Sequence, residues 1–488
     1  MSHRSSPTEI FTKCEKEALH LSGAIQPHGT LLAANRDLII THIAGNAGQF
    51  LTFEKPLQPG DPLPHVLAQF LRNLKLQTGK RDYRWLKLGD QNFRTSTHLN
   101  ADDLFIVELT RVQEKIDTFV DREAYVPVTR SDLELEFQRI TKVIAVLTEF
   151  ERVMYYRFRE DGDGEVIAEV RDHQSYGSFL GLRFPAADIP QIARNLYIKN
   201  PWRLIADIDA RPVPILSASD DTIDLTWSDL RSVSPVHLAY LRNMFVQSSL
   251  SFPIVLADKL YGLIACHHSR AVAPDSARLE YASREVRSHA LSVLSYQASE
   301  RISLLQRFSG DYHVLLDKMV GSNLSILDVW NEMSTWLLHT FQAGGVQFIV
   351  GHHLLQTGIV ADTELLDQLD YFLKSRSDPY WATSHLRSVM PQVRLTEICG
   401  VLSVDFRDSK QQSCRLLLYR SEHFYEVAWG GNEDKPEERH AGGLVLGPRR
   451  SFEKWVEKRL GYSREWTRED SIKANWLRKT LSEISIYV

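Results

Sequence analysis

The feature of this chain that most constrains its fold is a long stretch, between Pro274 and Gly310, that contains neither proline nor glycine. Apolar residues recur in it every three or four positions, at Leu279, Ala282, Val286, Ala290 and Val293. This spacing predicts an amphipathic α-helix, which at 1.5 Å per residue spans roughly 50 Å. Because a small domain does not need so long a helix for its own packing, we expect this helix to join domains or to dimerise.

The length and composition indicate a large, soluble protein. A chain of 488 residues favours about three domains, and 43% hydrophobic and 24% charged residues are near globular averages. A net charge of −5 gives no electrostatic reason to expect nucleic acid or an anionic membrane as a partner. The N-terminus lacks an apolar signal core, and no run of about 18 apolar residues follows. We therefore expect a cytoplasmic protein.

The cysteines argue for a reducing compartment. They are far apart in the sequence and form no CxxC pair, which disfavours both a zinc ribbon and a disulfide framework. Their positions are Cys14, Cys266, Cys399 and Cys414. Adjacent histidines, such as His267 and His268, point to opposite faces of a strand, so a shared metal is not expected.

Short apolar runs separated by Pro, Gly and Asn predict mixed α/β domains on both sides of the long helix. We place one domain at residues 1–115, a second at 116–300 and a third at 301–488. Taken alone, several polar residues have ordinary explanations: Cys14 as a stray thiol, Asp188 as a helix cap, and His237 as a core histidine. Arginines are most often surface ion pairs, and aromatic sets are most often plain core.

Three separated segments change that balance. They are Phe184-Pro-Ala-Ala-Asp188-Ile-Pro190, Arg231-Ser-Val-Ser-Pro-Val-His237 and Tyr261-Gly-Leu-Ile-Ala-Cys-His267-His268. In order and rough spacing they resemble the core signatures of the bacterial phytochromes. The resemblance covers essentially the whole chain and implies PAS, GAF and PHY domains in tandem, an overall α/β (α+β) architecture. It also implies a figure-of-eight knot around Ile25 and a hairpin called the tongue, at about residues 425–458.

The resemblance implies a biliverdin chromophore held by a thioether at Cys14. Plant and cyanobacterial relatives carry their cysteine just before the histidine of the Ser-Pro-x-His motif, where this chain has Val236. Cys266, in an apolar strand, is expected to be a core thiol. The family pattern brings Asp188 and His237 to the pyrrole nitrogens and His267 to the D-ring carbonyl.

The remaining expected chromophore contacts follow from the same resemblance. Buried propionates require cationic or hydroxyl partners. Arg203 and Arg231 match the propionate-binding arginines, with Tyr197, Ser249 and Ser251 as auxiliary donors. The apolar contacts are expected from Met154, Tyr156, Phe179, Phe184, Ile189 and Tyr240, and the rotating D-ring is expected nearest Tyr156, Phe184 and Tyr240.

The third domain contains Trp429-Gly-Gly and Gly447-Pro-Arg-Arg-Ser-Phe452, which resemble the motifs of the tongue. The resemblance implies switch roles for Trp429, Arg449, Ser451 and Phe452, with Arg449 paired to Asp188 in one light state. A plain exposed hairpin with a basic tip is the alternative.

The sequence also departs from the family pattern. Ala187 replaces a serine, Tyr261 a tryptophan, Leu182 a residue that is often polar, and Phe245 a glycine. Phe245 is expected to alter the backbone, since glycine alone freely adopts positive φ.

The predicted function is that of a red/far-red photoreceptor module in which light rotates the D-ring and the tongue refolds. We expect a homodimer through long helices, and an output domain or response regulator in a longer parent protein. The alternative is the sensory part of a light-regulated histidine kinase, although no phosphoacceptor helix or glycine-rich ATP domain follows the sensor. A GAF-based sensor for a cyclic nucleotide or haem explains neither Cys14 nor the motif ending at Phe452. We therefore expect no catalytic activity in this chain.

Overall fold

The structure is a computed structural model. It describes residues 17–53, 55–112, 125–172, 177–219, 221–321, 324–376, 378–394, 397–431, 437–440, 443–446 and 452–486, with backbone alone for 311–321, 437–440 and 443–446. By its contacts the chain forms two units. One comprises the chain up to Leu294 together with 428–455, and the other comprises 295–427 together with 456–488. No helix in the described ranges is long and apolar enough to cross a membrane.

The described strands and helices follow an α/β pattern throughout. The strands are β1 Ala24–Ile25, β2 Gly29–Ala34, β3 Ile40–Ala44, β4 Asp82–Leu88, β5 Gln91–Leu99, β6 Phe105–Arg111, β7 Arg152–Phe158, β8 Gly164–Arg171, β9 Arg183–Phe184, β10 Arg203–Ile205, β11 Val213–Ser217, β12 Ser248–Leu256, β13 Lys259–His268, β14 Gly345–Val350, β15 His353–Gly358, β16 Tyr380–Thr383, β17 Ile398–Arg407, β18 Ser413–Ser421, β19 Tyr425–Gly430, β20 Glu437–His440, β21 Gly443–Leu446 and β22 Lys454–Arg459. The helices are α1 Ala47–Phe50, α2 His65–Arg72, α3 Arg130–Thr148, α4 Gln191–Lys199, α5 Pro235–Asn243, α6 Ser276–Gly321, α7 Ile326–Thr340, α8 Thr363–Lys374, α9 Leu386–Val389 and α10 Arg468–Ser482, with 3₁₀ turns at Leu19–Leu21 and Ala186–Asp188.

The first sheet has the strand order β1-β11-β3-β2-β6-β5-β4. One of its faces packs on α1 and α2 through a core that includes Leu32, Val107 and Leu67. Its other face carries Leu31 and Ile106 and packs on Leu225 and Leu230, which lie more than a hundred residues later in the chain. The two faces follow from the alternation of side chains along a strand.

The N-terminal segment is held by residues far away in the sequence. Ala24 and Ile25 of β1 pair with Pro214 and Val213 of β11. The side chain of Gln26 donates to the backbone oxygen of Leu204 at 2.8 Å. These contacts place Ile25 at the position for which the sequence predicts a knot, although the threading itself stays a prediction.

The second sheet contains the strand order β10-β12-β13-β7-β8-β9. At its far side β9 pairs in parallel with β19, through Arg183 and Trp429. One face packs on α3 and α6 through residues such as Ile140, Phe252 and Val286. Thr129 caps α3 in a capping box with Asp132, which satisfies backbone donors of its first turn.

Helix α6 confirms the helix predicted from the Pro- and Gly-free stretch and extends it to Gly321. The predicted domain boundary at 300/301 falls inside this helix, and the one at 115/116 lies outside the described residues. The boundaries therefore stay predictions.

The other unit is built around a sheet with the strand order β15-β14-β18-β17-β16. Its core includes Met333 of α7, Phe348 of β14 and Leu477 of α10. Phe308, in the second half of α6, packs against Trp476 with ring centroids 4.9 Å apart. A second cluster, around Leu369 and Leu417, covers the opposite face of this sheet.

Phe245 lies directly after α5 and has φ = +59°, a conformation that favours glycine. Phe245 therefore adopts the left-handed conformation with a bulky side chain, and a change of backbone relative to glycine at this position stays a prediction. A non-glycine residue pays about 1–2 kcal/mol for this conformation.

Replacing Phe245 by glycine is expected to stabilise the protein by about 0.5–1 kcal/mol, because removal of the strain exceeds the extra chain entropy of glycine. The melting temperature should rise by a few degrees in a thermal scan. Phe424, which is exposed to a similar extent (53% against 65%) but is not at positive φ, is the matched control. Phe424→Gly should lower the melting temperature, and a lower value for Phe245→Gly would contradict the argument.

Candidate ligand-binding cavity

A cavity of about 270 Å³ lies on the face of the second sheet opposite α3 and α6. Small-molecule sites typically occupy about 300–1,000 Å³, so this cavity is slightly smaller than that range. Every predicted chromophore contact that lies in the described residues lines this cavity: Met154, Tyr156, Phe179, Phe184, Asp188, Ile189, Tyr197, Arg203, Arg231, His237, Tyr240, Ser249, Ser251 and His267. Their roles toward a chromophore stay predictions. Cys14 lies outside the described residues.

The floor of the cavity comes from alternate residues of neighbouring strands. Met154 of β7 lies opposite Ala265 of β13, which in turn lies opposite Ser251 of β12. His267 of β13 lies opposite Ser249 in the same way. Because side chains two residues apart share one face of a sheet, these residues all face the cavity.

The roof is formed by the turn at Ala186–Asp188 and by α5. Pro235 begins α5, where its missing N–H costs nothing. One helical turn separates His237 from Tyr240, and their rings stack with centroids 6.1 Å apart. The Tyr240 hydroxyl donates to Oδ2 of Asp188 at 3.3 Å. This contact ties the Asp-Ile-Pro turn to the Ser-Pro-x-His helix.

Two arginines give one side of the cavity a positive charge. Arg203 donates from Nη2 to the backbone oxygen of Ser232 at 2.8 Å, and its Nη1 is buried without a hydrogen-bond partner among the described residues. Arg231 donates from Nη1 to the backbone oxygen of Leu225 at 3.1 Å. Within the described part of the chain, neither arginine forms an ion pair. Burial lowers the pKa of Arg203 to about 10, and burial together with the charge of Arg203 lowers the pKa of Arg231 to about 9.

Hydroxyl groups border these arginines. Ser251 lies directly opposite Arg203 in the pairing of β12 with β10, and Ser249 lies opposite Ile205. Tyr197 of α4 also lines the cavity. A buried cation without a counter-charge is costly, so the donor set fits a ligand that brings anionic groups of its own.

The two cavity histidines are uncharged at neutral pH. Burial, followed by the charge of Arg203, lowers the pKa of His237 to about 4. Burial, followed by the charges of Arg152 and His237, lowers the pKa of His267 to about 3. Nδ1 of His267 is buried and has no hydrogen-bond partner in the described residues. His268 faces the other way, with Nε2 3.5 Å from Glu151.

The ligand-free protein is expected to lose stability as the pH falls from 6.5 to 5. His98, which is fully buried, has a pKa lowered to about 3 by burial and then by Arg81, and it adds to the two cavity histidines. The unfolded chain takes up a proton at each near pH 6.5 while the folded chain does not, so stability present above pH 6.5 is lost as the pH falls. Glu108 has the opposite effect and offsets one histidine. Burial raises its pKa to about 7, so in this pH range the folded chain binds a proton at Glu108 that the unfolded chain does not bind.

The free energy of unfolding should therefore fall by at least about 1 kcal/mol for each pH unit between pH 6.5 and 5, after allowance for screening at the half-buried cavity histidines. Urea unfolding at pH 7.5, 6 and 5 measures it. His98→Leu should flatten the slope, and a free energy of unfolding that does not change with pH would contradict the assignment.

Described residues near both ends of the segment 428–455 pack against side chains that line the cavity. Trp429 is completely buried, and a Cβ on Gly430 would lie 2.5 Å from the ring of Phe184. Phe452 packs edge-on against Tyr240 with centroids 5.1 Å apart. Two of the predicted switch residues are therefore adjacent to the cavity, whereas Arg449 and Ser451 lie outside the described residues.

Sequence reasoning missed several residues of the cavity. Glu17 lines it and accepts a hydrogen bond from the Ser234 hydroxyl at 2.9 Å. Trp202 and Met244 also line it. Glu17 could have been predicted to line the cavity from its position three residues after Cys14. Trp202 and Met244 could have been predicted only from their neighbours Arg203 and Asn243.

Three family models match successive parts of the chain. A PAS-fold model matches residues 14–111, a GAF-domain model matches residues 132–302, and a model of the phytochrome region, PHY, matches residues 312–486. The predicted order of PAS, GAF and PHY domains is therefore confirmed.

Curated relatives match over nearly the whole chain. A bacteriophytochrome of Pseudomonas aeruginosa is 30% identical over 98% of this chain and 67% of its own length. Cyanobacterial phytochrome B of a Nostoc species is 31% identical over 96% of this chain and 66% of its own length. The chain thus spans about two thirds of the length of these relatives.

Solved structures agree in fold. The photosensory core module of the Stigmatella aurantiaca phytochrome superposes with a TM-score of 0.80 at 25% identity, covering 96% of this chain and 97% of that one. A bacteriophytochrome from the photosynthetic bacterium R. palustris gives a TM-score of 0.75 at 25% identity, with 96% and 98% covered. The fold is that of a phytochrome photosensory core. The chain belongs to the bacterial phytochromes, a family of photoreceptors.

Proposed function

We propose that this chain is a red/far-red photosensory module that binds biliverdin covalently through Cys14. The observation that carries the proposal is the donor set of the cavity. Arg203 and Arg231 supply buried positive charge, His237 and His267 supply neutral imidazoles, and aromatic rings supply apolar walls. An elongated apolar tetrapyrrole with two propionates fits this combination.

The attachment chemistry needs a thiol near the cavity. Cys14 lies outside the described residues, but Glu17, which lines the cavity, is three residues later, and three residues span at most about 11 Å. Attachment adds the Cys14 sulfur to one carbon of a vinyl group and the thiol proton to the other. A C–S and a C–H bond replace the second bond of the C=C group, so no oxidant is required.

The light response is assigned to the end of the cavity near Tyr156, Phe184 and Tyr240. Bound biliverdin would supply the isomerisation of its C15=C16 bond in red light. Phe184 contacts Gly430, and Tyr240 contacts Phe452, so movement of these two rings is passed directly to the segment 428–455. We propose that this segment is the tongue, that Arg449 and Ser451 exchange as partners of Asp188, and that α6 carries the change onward.

We further propose a homodimer formed through α3 and the first half of α6. Exposed apolar side chains follow both helices, at Val128 before α3, at Leu135 and Val146 on it, and at Leu291 and Leu294 on α6. The proposed output, such as a histidine kinase, belongs to a parent protein longer than this chain. The chain itself is proposed to have no catalytic activity.

The test is a covalent adduct on Cys14. After incubation with biliverdin, denaturing gels stained by zinc fluorescence should show an adduct on the wild type and none on Cys14→Ser. Cys266→Ser is the matched control, because Cys266 is fully buried and burial holds its pKa far above the ordinary value. Absorbance before and after red light should reveal two interconverting states. An adduct that persists in Cys14→Ser, or a wild type that stays colourless, would reject the proposal.

A further inference from the structure

A buried ion pair lies at the His267 end of the cavity, between residues that no motif singles out. Nε of Arg152 is 3.2 Å from Oε1 of Glu169, and the two side chains are 6% and 3% exposed. Arg152 is on β7, two residues before Met154, and Glu169 is on β8, directly opposite Met154. Both therefore lie on the sheet face that forms the floor of the cavity.

The pair holds the loop that carries Phe179. Nη2 of Arg152 donates to the backbone oxygen of Gly177 at 2.6 Å, and the guanidinium carbon lies 4.3 Å from the centre of the Phe179 ring. Glu169 accepts from the Ser178 hydroxyl at 2.5 Å and from the backbone N–H of Phe179 at 3.2 Å. Residues 177–179 are thus fixed from both sides by one cation and one anion.

The same pair borders His267. In the pairing of β13 with β7, His267 lies directly opposite Arg152. The groups that face His267 are Arg152 of β7, His237 of α5 and, across the next strand pair, Ser249 of β12. Arg152 contributes the nearest full positive charge, which disfavours a second positive charge on the imidazole.

We propose that Arg152 and Glu169 are a positioning pair for the end of the cavity formed by Phe179 and His267, where they hold the Phe179 ring as a wall and keep the His267 imidazole neutral toward a bound bilin. The inference rests on the proposed function. It adds two residues that are not among the predicted chromophore contacts. A buried ion pair contributes little net stability compared with apolar residues of similar volume. The burial of both charges is therefore better explained by their role in placing Phe179 and His267 than by a gain in stability.

The test replaces both charges together, in Arg152→Met/Glu169→Gln, so that no unpaired buried charge remains. The matched control is Arg157→Met/Glu165→Gln, an ion pair at 3.2 Å between the same two strands that does not line the cavity. Histidine NMR of the ligand-free proteins reports the titration of His267, assigned with His267→Gln. Fluorescence quenching reports the Kd for biliverdin in the Cys14→Ser background, where binding is reversible.

In the double variant we expect the His267 pKa to rise by about one unit or more and the Kd for biliverdin to increase about tenfold. The control variant should change neither. If the double variant unfolds, Ser178→Ala is measured instead, because it removes one hydrogen bond to Glu169 and keeps both charges paired. Its Kd should increase while Arg152 still holds His267 neutral. A wild-type His267 titration and Kd in the tested variants would overturn the positioning role. A wild type that fails to bind biliverdin would instead reject the proposed function, and the NMR titration would still decide the effect of the pair on His267.

Discussion

Replacing Arg203 by methionine is expected to weaken biliverdin binding by about 10- to 100-fold, because a charge-assisted hydrogen bond contributes about 1.5–3 kcal/mol. The same substitution should leave the ligand-free protein as stable as the wild type or more stable. It removes a buried guanidinium whose Nη1 has no partner in the described residues, at the loss of one hydrogen bond to the Ser232 oxygen. It also removes a charge that, after burial, contributes to lowering the pKa of Arg231 and of His237.

Two measurements separate these effects. Biliverdin titration in the Cys14→Ser background, where binding is reversible, gives the Kd, and urea unfolding without ligand gives the stability. Biliverdin dimethyl ester, which lacks the propionate charges, should bind the wild type more weakly than biliverdin does. Arg203→Met should discriminate less between the two ligands, because only Arg231 is left to favour the acid. The control is Arg242→Met, which removes an exposed ion pair with Asp209 at 2.9 Å and should change neither quantity. If Arg203→Met discriminated between acid and ester as strongly as the wild type does, Arg203 would be excluded as a propionate partner.

Replacing His289 by leucine is expected to destabilise the protein by about 3–5 kcal/mol, because it leaves a buried carboxylate without its main partner. His289 of α6 and Glu136 of α3 are both 0% exposed, and Nδ1 of His289 is 2.8 Å from Glu136. Nε2 is 3.0 Å from the hydroxyl of Tyr155, whose pKa burial raises well above its ordinary value. Burial lowers the pKa of His289, so the neutral ring donates from Nδ1 to Glu136 and accepts at Nε2 from Tyr155.

The size of the effect distinguishes a buried charge from lost packing. Burial opposes ionisation of Glu136, but hydrogen bonds from His289 and Arg139 outweigh it and hold its pKa below the ordinary value. Glu136→Leu/His289→Leu should therefore recover most of the stability lost in His289→Leu, because no buried carboxylate is left, and Arg139, which loses Glu136 as its partner, is 33% exposed. Tyr155→Phe should cost only about 1 kcal/mol, the value of one hydrogen bond. A double variant that is no more stable than His289→Leu would contradict this explanation. Urea unfolding of the four proteins measures it.

The residues that line the cavity were predicted from the sequence more completely than the residues that support them. Asp188, His237 and His267 lie in short motifs whose local geometry is set by Pro190, Pro235 and strand alternation. Their convergence could be inferred because the resemblance supplied the long-range arrangement that periodicity does not contain. Helix α6 was predictable from periodicity alone, although its end at Gly321 was not.

The buried polar pairs could not be predicted. Tyr155 and His289 are separated by 134 positions, and Arg152 and Glu169 sit in ordinary-looking strands. Each of these residues is also compatible with an exposed position, and only what packs on each face of the sheet determines that it is buried. Phe245 shows the opposite limit. The sequence identified the position that requires positive φ, but it did not indicate that the fold tolerates phenylalanine there.

The pairing of the N-terminal segment has a consequence for biosynthesis. The side chain of Gln26 donates to the backbone oxygen of Leu204, 178 residues later in the chain, and Ile25 pairs with Val213. At about 5–20 residues per second, a ribosome needs roughly 10–40 s to deliver these partners after Gln26 has been made. During that interval the first domain can form only the strand pairs that do not involve β11, and Ile25 must wait exposed or in contact with a chaperone. Slowing translation between Gln26 and Val213 should therefore lengthen the period in which a nascent chain is open to proteolysis at its N-terminus.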